Sequence, residues 1–154
     1  MNPEIDSKWM RQALLLAKQA AAEGEVPVGA VVLYKGEVIG MGRNRSRTDA
    51  DPTAHAEVVA LREAGKALNN YRLEGCELFA TIEPCAMCAG ALIHARISRL
   101  IYGADDPKAG AVHSMMQVLN HPQLNHRMEI TGGVLAAECS QLLQDFFQSR
   151  RGKA

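Results

Sequence analysis

Residues 76–96 read CELFATIEPCAMCAGALIHAR, and the change of pattern inside this stretch orders everything around it. Its first seven residues, Cys76–Ile82, are mostly apolar and β-favouring and are bounded by Gly75 and Pro84, the signature of a buried strand. Glu83-Pro84 ends that strand, because proline lacks the N–H that a sheet ladder needs, while its fixed φ suits the first turn of a helix. From there to about Arg96, Ala, Leu and Ile occur on every side, which predicts a buried helix.

Working outward, residues 4–23 have helical spacing, with Ile5, Trp9, Ala13, Leu16 and Ala20 three or four apart on one face and Gly24 as the stop. Residues 28–34 and 37–42 are short apolar runs separated by Lys35-Gly36, the mark of a hairpin. A polar loop, 43–51, follows. After Pro52 the stripe Ala54, Val58, Leu61, Gly65 and Leu68 predicts a second helix, with Thr53 as a candidate cap. Downstream lie a strand at 100–103, a polar loop, a weaker helical stretch at 114–119, a strand at 127–134 and a last amphipathic helix at 135–151. The order αββαβαβαβα implies a layered α/β domain. With 154 residues and no repeat, linker or low-complexity tract, residues 1–154 read as one domain.

Lys plus Arg and Asp plus Glu both number 17, so no basic surplus advertises nucleic-acid binding. Local cation patches remain: Arg43, Arg45 and Arg47; Lys108; and Arg150, Arg151 and Lys153. No run of 18 apolar residues is present, and Glu4, Asp6, Lys8 and Arg11 occupy the start where a signal peptide would be apolar. The expectation is a cytoplasmic protein with no membrane attachment. Two of the four cysteines form a C-x-x-C, which in such a protein points to metal or redox chemistry.

Cys85 and Cys88 stand three apart at a predicted helix start, so both sulfurs face one side, near the positive end of the helix dipole that favours thiolates. His55, at the start of another predicted helix, makes a third ligand. Three ligands leave one position of a zinc ion open to water, whose pKa zinc can lower from ~15.7 to ~7. Glu57, two residues beyond His55, is poorly spaced on a regular helix to join it as a ligand; it is suited instead to carry protons for that water. A closed structural site with Cys76 or Cys139 as fourth ligand is the competing reading, although both look like small core residues. His94, His113, His121 and His126 lack a partner at ligand spacing.

The fragments His55-Ala56-Glu57 and Pro84-Cys85-Ala86-Met87-Cys88 match the H-x-E and P-C-x-x-C signature of the zinc deaminases. Together with residues 25–30 (EVPVGA), 42–45 (GRNR), 51–57 (DPTAHAE), 83–91 (EPCAMCAGA) and 125–127 (NHR), the chain resembles the bacterial tRNA-specific adenosine deaminases of the cytidine deaminase superfamily over nearly its whole length. The resemblance implies a three-layer αβα sandwich with a five-stranded mixed sheet, helices on both faces and the last two strands parallel. It implies one zinc per chain, a homodimer, and conversion of adenosine to inosine at the wobble position of a tRNA anticodon, typically of an arginine tRNA. By the same likeness Asn44 contacts the flipped nucleotide, Ala56 offers its backbone amide to the base, Glu57 shuttles protons and Asp106 touches the sugar-phosphate chain.

In that setting zinc-activated water attacks C6 of an adenine splayed from the anticodon loop, Glu57 protonates N1 and then the amino group, and ammonia leaves. Pro27, Val28 and Gly29 are candidates for the apolar pocket wall, or are simply a strand start. Phe146, Phe147, Arg150 and Arg151 combine aromatic surface and charge suited to an RNA loop, with at least one Phe expected in the core. Two other functions compete. One is a deaminase of a free base or nucleotide such as guanine; the other is a noncatalytic, zinc-stabilised RNA-binding module.

Overall fold

The computed structural model describes residues 2–151; Met1 and the tail cation Lys153 lie outside them. Helix α1, Pro3–Ala22, starts where Asn2 Oδ1 accepts the N–H of Glu4 at 2.9 Å, with Pro3 in the first turn. Its buried face is Met10, Ala13, Leu14, Leu16, Ala17 and Ala20. Ile5, expected on that face, is exposed and Trp9 only half-buried. The first turn is set instead by Asp6, which pairs with buried Arg99 at 2.7 Å and turns Ile5 outward.

Strands β1, Gly29–Tyr34, and β2, Glu37–Arg43, form the expected hairpin, with positive φ at both Lys35 and Gly36 as a type I′ turn requires. Helix α2 is Ala56–Leu68 and strand β3 Cys76–Ile82. Helix α3 is Ala86–Ala95, strand β4 Arg99–Ala104, strand β5 Glu129–Thr131 and helix α4 Ala136–Arg151. The sheet order is β2-β1-β3-β4-β5; β1 is antiparallel to both neighbours, while β3, β4 and β5 run parallel. The mixed five-stranded sheet and its parallel last pair are those expected.

Strand alternation divides the core. Ala30, Val32, Leu78, Ala80, Leu100 and Tyr102 face α2 and α3, whereas Val31, Leu33, Phe79 and Ile101 face α1 and α4. Three layers result. Gly42 lets α2 sit close on β2, since a Cβ there would run into the carbonyl oxygen of Ala56 and come within 2.7 Å of Ala60 N.

Further expectations fail locally. Residues 114–119 are not helical: Met115 N–H bonds Gly110 O and Val118 N–H bonds Ala111 O, a looped pattern with no i−4 ladder. The strand predicted at 127–134 shrinks to Glu129–Thr131 at the sheet edge. Thr53 is no cap; His55 occupies the N-cap of α2, with extended φ and ψ. Pro84 likewise precedes the cap of α3, which is Cys85.

The buried residues of α2 are Ala56, Glu57, Ala60 and Ala64, one step round from the predicted stripe. Small side chains are required against the glycines of β2. The larger Val58 and Leu61 are half-buried and line an open groove with Leu73, Ala91 and Ala95, so α3 is not buried on every side either.

Candidate active site

The carboxyl ends of β3 and β4, the entry to β1 and the exit from β2 meet at one end of the sheet, where open α/β sheets present their crevices. A cavity of about 230 Å³ lies there, lined by Val26, Val28, Asn44, His55, Ala56, Glu57, Ile82, Glu83, Cys85, Asp106 and Ala109.

His55, Cys85 and Cys88 come together from the starts of α2 and α3, with ligand atoms all within 4.8 Å of one another. His55 Nδ1 stands 3.6 Å from Cys85 Sγ and 3.5 Å from Cys88 Sγ. A tetrahedral zinc bound to one nitrogen and two sulfurs would hold such atoms about 3.6 Å apart. The donor set and its spacing therefore fit zinc. The Cys85 thiol is pulled down to about 3, first by its hydrogen bond with Cys88 and then by His55, against burial. The same bond, reinforced by burial, drives Cys88 up.

Glu57 opens on the same cavity and is 4% exposed. Burial, aided by the neighbouring Cys85, raises its carboxyl above the ordinary range. Because His55 is an extended N-cap rather than a helical residue, the two-residue spacing does not send the pair to opposite sides. Cys76 and Cys139 are buried elsewhere, and among the described residues neither joins the cluster.

Residues 4–151 match the family of MafB19-like deaminases. A tRNA-specific adenosine deaminase of Haemophilus influenzae is 52% identical over 152 residues, covering 98% of this chain and 88% of that protein. The chain belongs to the tRNA-specific adenosine deaminases. A solved structure from a study of A-to-I editing by tRNA:A34 deaminases at the wobble position of transfer RNA superposes with a TM-score of 0.85 at 44% identity, over 87% of this chain and 97% of the other. A guanine deaminase from Nitrosomonas europaea shares the fold at 26% identity and a TM-score of 0.75, covering 89% and 81% of the two chains.

Within this deaminase the remaining sequence candidates divide. Asn44, Ala56, Val28 and Asp106 line the cavity, but Pro27 and Gly29 do not. Val26 and Val28 flank Pro27 in the segment leading into β1, tied by Val28 N–H on Val26 O at 2.9 Å, and both reach the cavity, whereas a Cβ on Gly29 would point at the backbone of α1. Val26, Ile82, Glu83 and Ala109 join the lining without having been anticipated. Lys108, Phe147, Arg150 and Arg151 line an adjoining groove of about 620 Å³ that shares Val26, Val28, Ile82, Asp106 and Ala109 with the cavity. Phe146 is off that groove, meeting Phe147 edge-on with the Arg150 guanidinium 4.8 Å over its ring. Neither Phe is fully buried, contrary to the expectation of one in the core. Arg43 and Arg45 are paired with Glu23 and Asp49.

Proposed function

We propose that this chain, a single deaminase domain over residues 1–154, hydrolyses adenosine to inosine at the wobble position of a tRNA anticodon, typically of an arginine tRNA. The observation that carries the reading is a buried carboxyl, Glu57, opening on the same cavity as a His-Cys-Cys cluster spaced for zinc. Identity of 52% to a tRNA-specific adenosine deaminase supports the substrate.

One zinc per chain, held by His55, Cys85 and Cys88, would supply a water with its pKa lowered toward ~7. Glu57 takes one proton from that water and passes it to N1 of the purine as the oxygen bonds to C6; it then takes the remaining proton of that oxygen and delivers it to the amino nitrogen, the C6–N bond breaks, and ammonia leaves with a C6 carbonyl behind. Asn44 and the Ala56 N–H hold the polar edge of the base. Val26, Val28 and Ile82 exclude solvent around it, and Pro27 and Gly29 set the backbone that presents Val28. Asp106 meets the sugar-phosphate chain. Lys108, Phe147, Arg150 and Arg151 receive flanking nucleotides along the adjoining groove, with Phe146 packed behind Phe147.

The protein is proposed to act in the cytoplasm; among the described residues no helix is long and apolar enough to cross a membrane. It is proposed to work as a homodimer, a reading supported by the open groove of about 840 Å³ along which Val58, Leu61 and Ala91 are only half-buried. Likeness to a guanine deaminase keeps a free-base substrate as the second reading.

One experiment separates them. The zinc-loaded protein is incubated with an anticodon stem-loop and, separately, with free bases and nucleosides, while ammonia is followed and the wobble base is sequenced. Inosine at the wobble position, with free bases inert, is expected. Ammonia from guanine alone would overturn the tRNA reading, and no ammonia from any substrate would leave a noncatalytic zinc module.

A further inference from the structure

Two buried carboxylates stand beside the cavity with no part in the chemistry above. Glu25, 1% exposed, accepts the N–H of Arg47 at 3.2 Å, the N–H of Thr48 at 2.6 Å and the Thr48 hydroxyl at 2.7 Å. Glu83, 2% exposed, accepts the N–H groups of Asp106, Val112, His113 and Ser114 at 2.9–3.1 Å, and the Ser114 hydroxyl as well. Glu83 also lies near Asp105 and His113, a grouping that could suggest a second metal site. Its two oxygens are already committed to five donors, which leaves no ligand for a cation.

The loop pinned by Glu25 runs between Asn44 and His55, which both line the cavity, and is closed by Arg45 N–H on Ala54 O. The loop pinned by Glu83 carries Asp106 and Ala109. Gly110 completes that second anchor, since a Cβ there would collide with the Glu83 carboxyl. A carboxylate removed from water is satisfied only while these donors surround it, so each loop is bound to one conformation.

We propose that Glu25 and Glu83 are positioning residues of the deamination: each holds one wall loop of the base cavity in its binding shape before substrate arrives. This rests on the cavity being the adenine site. If only a fraction of molecules has the loops in place, apparent affinity falls by that fraction, while saturating substrate gathers the competent form. Loss of either anchor therefore raises KM more than it lowers kcat.

The test uses the zinc-loaded full chain, Glu25→Gln and Glu83→Gln, and an anticodon stem-loop RNA. Expected for each variant is a KM about tenfold higher, with kcat within about threefold of wild type. Zinc content stays at one per chain. Hydrogen exchange quickens in residues 45–49 for Glu25→Gln and in 106–114 for Glu83→Gln, and not in β1, β3 or β4. Unchanged KM in a variant whose loop exchanges faster would overturn the proposal, as would zinc loss with equal falls in kcat and kcat/KM. Should a Gln variant not fold, Thr48→Val and Ser114→Ala remove one donor each, and KM should rise about two- to fivefold; no rise rejects the assignment. A wild-type protein inert on this RNA but active on a free base would instead overturn the underlying reading of the cavity.

Discussion

Gly42→Ala tests whether the first turn of α2 is placed by contact with the β2 backbone. The added Cβ would run into Ala56 O and sit 2.7 Å from Ala60 N, whereas an ordinary contact is 3.4 Å or more. Both neighbours are backbone of one helix and cannot rotate away, so α2 must retreat by about 0.7 Å or more. Forcing a methyl into such packing costs about 1–3 kcal/mol. In a domain of this size each kcal/mol lowers Tm by roughly 2–4 °C. The retreat also carries His55, Ala56 and Glu57 away from Cys85 and Cys88, and a misplacement near 1 Å can cost ~10²-fold in rate. Circular-dichroism melting and single-turnover deamination, with zinc content measured in parallel, should show a lower Tm together with a slower chemical step. Gly90→Ala is the control: nothing lies within 4 Å of its Cβ, and inside α3 the change should raise stability by about 1 kcal/mol. Wild-type melting and wild-type rate in Gly42→Ala would refute the account of how α2 is placed.

Glu57→Gln should keep zinc, fold and RNA binding while turnover falls by roughly 10²–10⁴ or more; an assay finding substantial residual activity would remove Glu57 from the proton path. For Glu25, burial raises the carboxyl, but the hydrogen bonds of Thr48 and Arg47 outweigh it and leave it below the ordinary value of 4.5. Its contribution to stability is thus complete above pH 4.5 and lost as pH falls through the lowered folded value. Urea titrations should find Glu25→Gln less stable than wild type at pH 7, by about 1–3 kcal/mol, with the gap closing below pH 4.5; a constant gap would contradict this. Cys139 is buried and raised to about 12, and burial also raises Cys76. Iodoacetamide at pH 8 should leave both unmodified in the native protein, as peptide mass mapping would register.

The two halves of the candidate metal cluster were legible because the geometry within each half is local. Cys85 and Cys88 need only a helix start to face one ion, and His55-Ala56-Glu57 carries its own recognisable spacing. Strands β1 to β4 were legible for a similar reason, as short apolar runs between turn residues. Residues 105–128 were not. Within them Glu83, from another segment, takes the N–H groups of Asp106, Val112, His113 and Ser114, and Gly110 and Ala111 take those of Met115 and Val118, so the local propensity for a helix at 114–119 does not decide the outcome. Glu25 and Glu83 stand in stretches that the sequence singles out, but no local pattern gives either of them a role.

By itself the chain of residues specified the α/β order except for the helix expected at 114–119, and the two short fragments that carry the candidate ligands and the acid, because each of these depends on periodicity or on neighbours within a few positions. Only the folded packing decided which face of α2 is buried, that Val26 and not Pro27 meets the cavity, and that Val58 and Leu61 are left on an open groove. Those outcomes turn on how closely backbones from distant segments approach. That distance depends on the absent side chains of Gly40 and Gly42 and on buried charges seeking donors, neither of which a local pattern records.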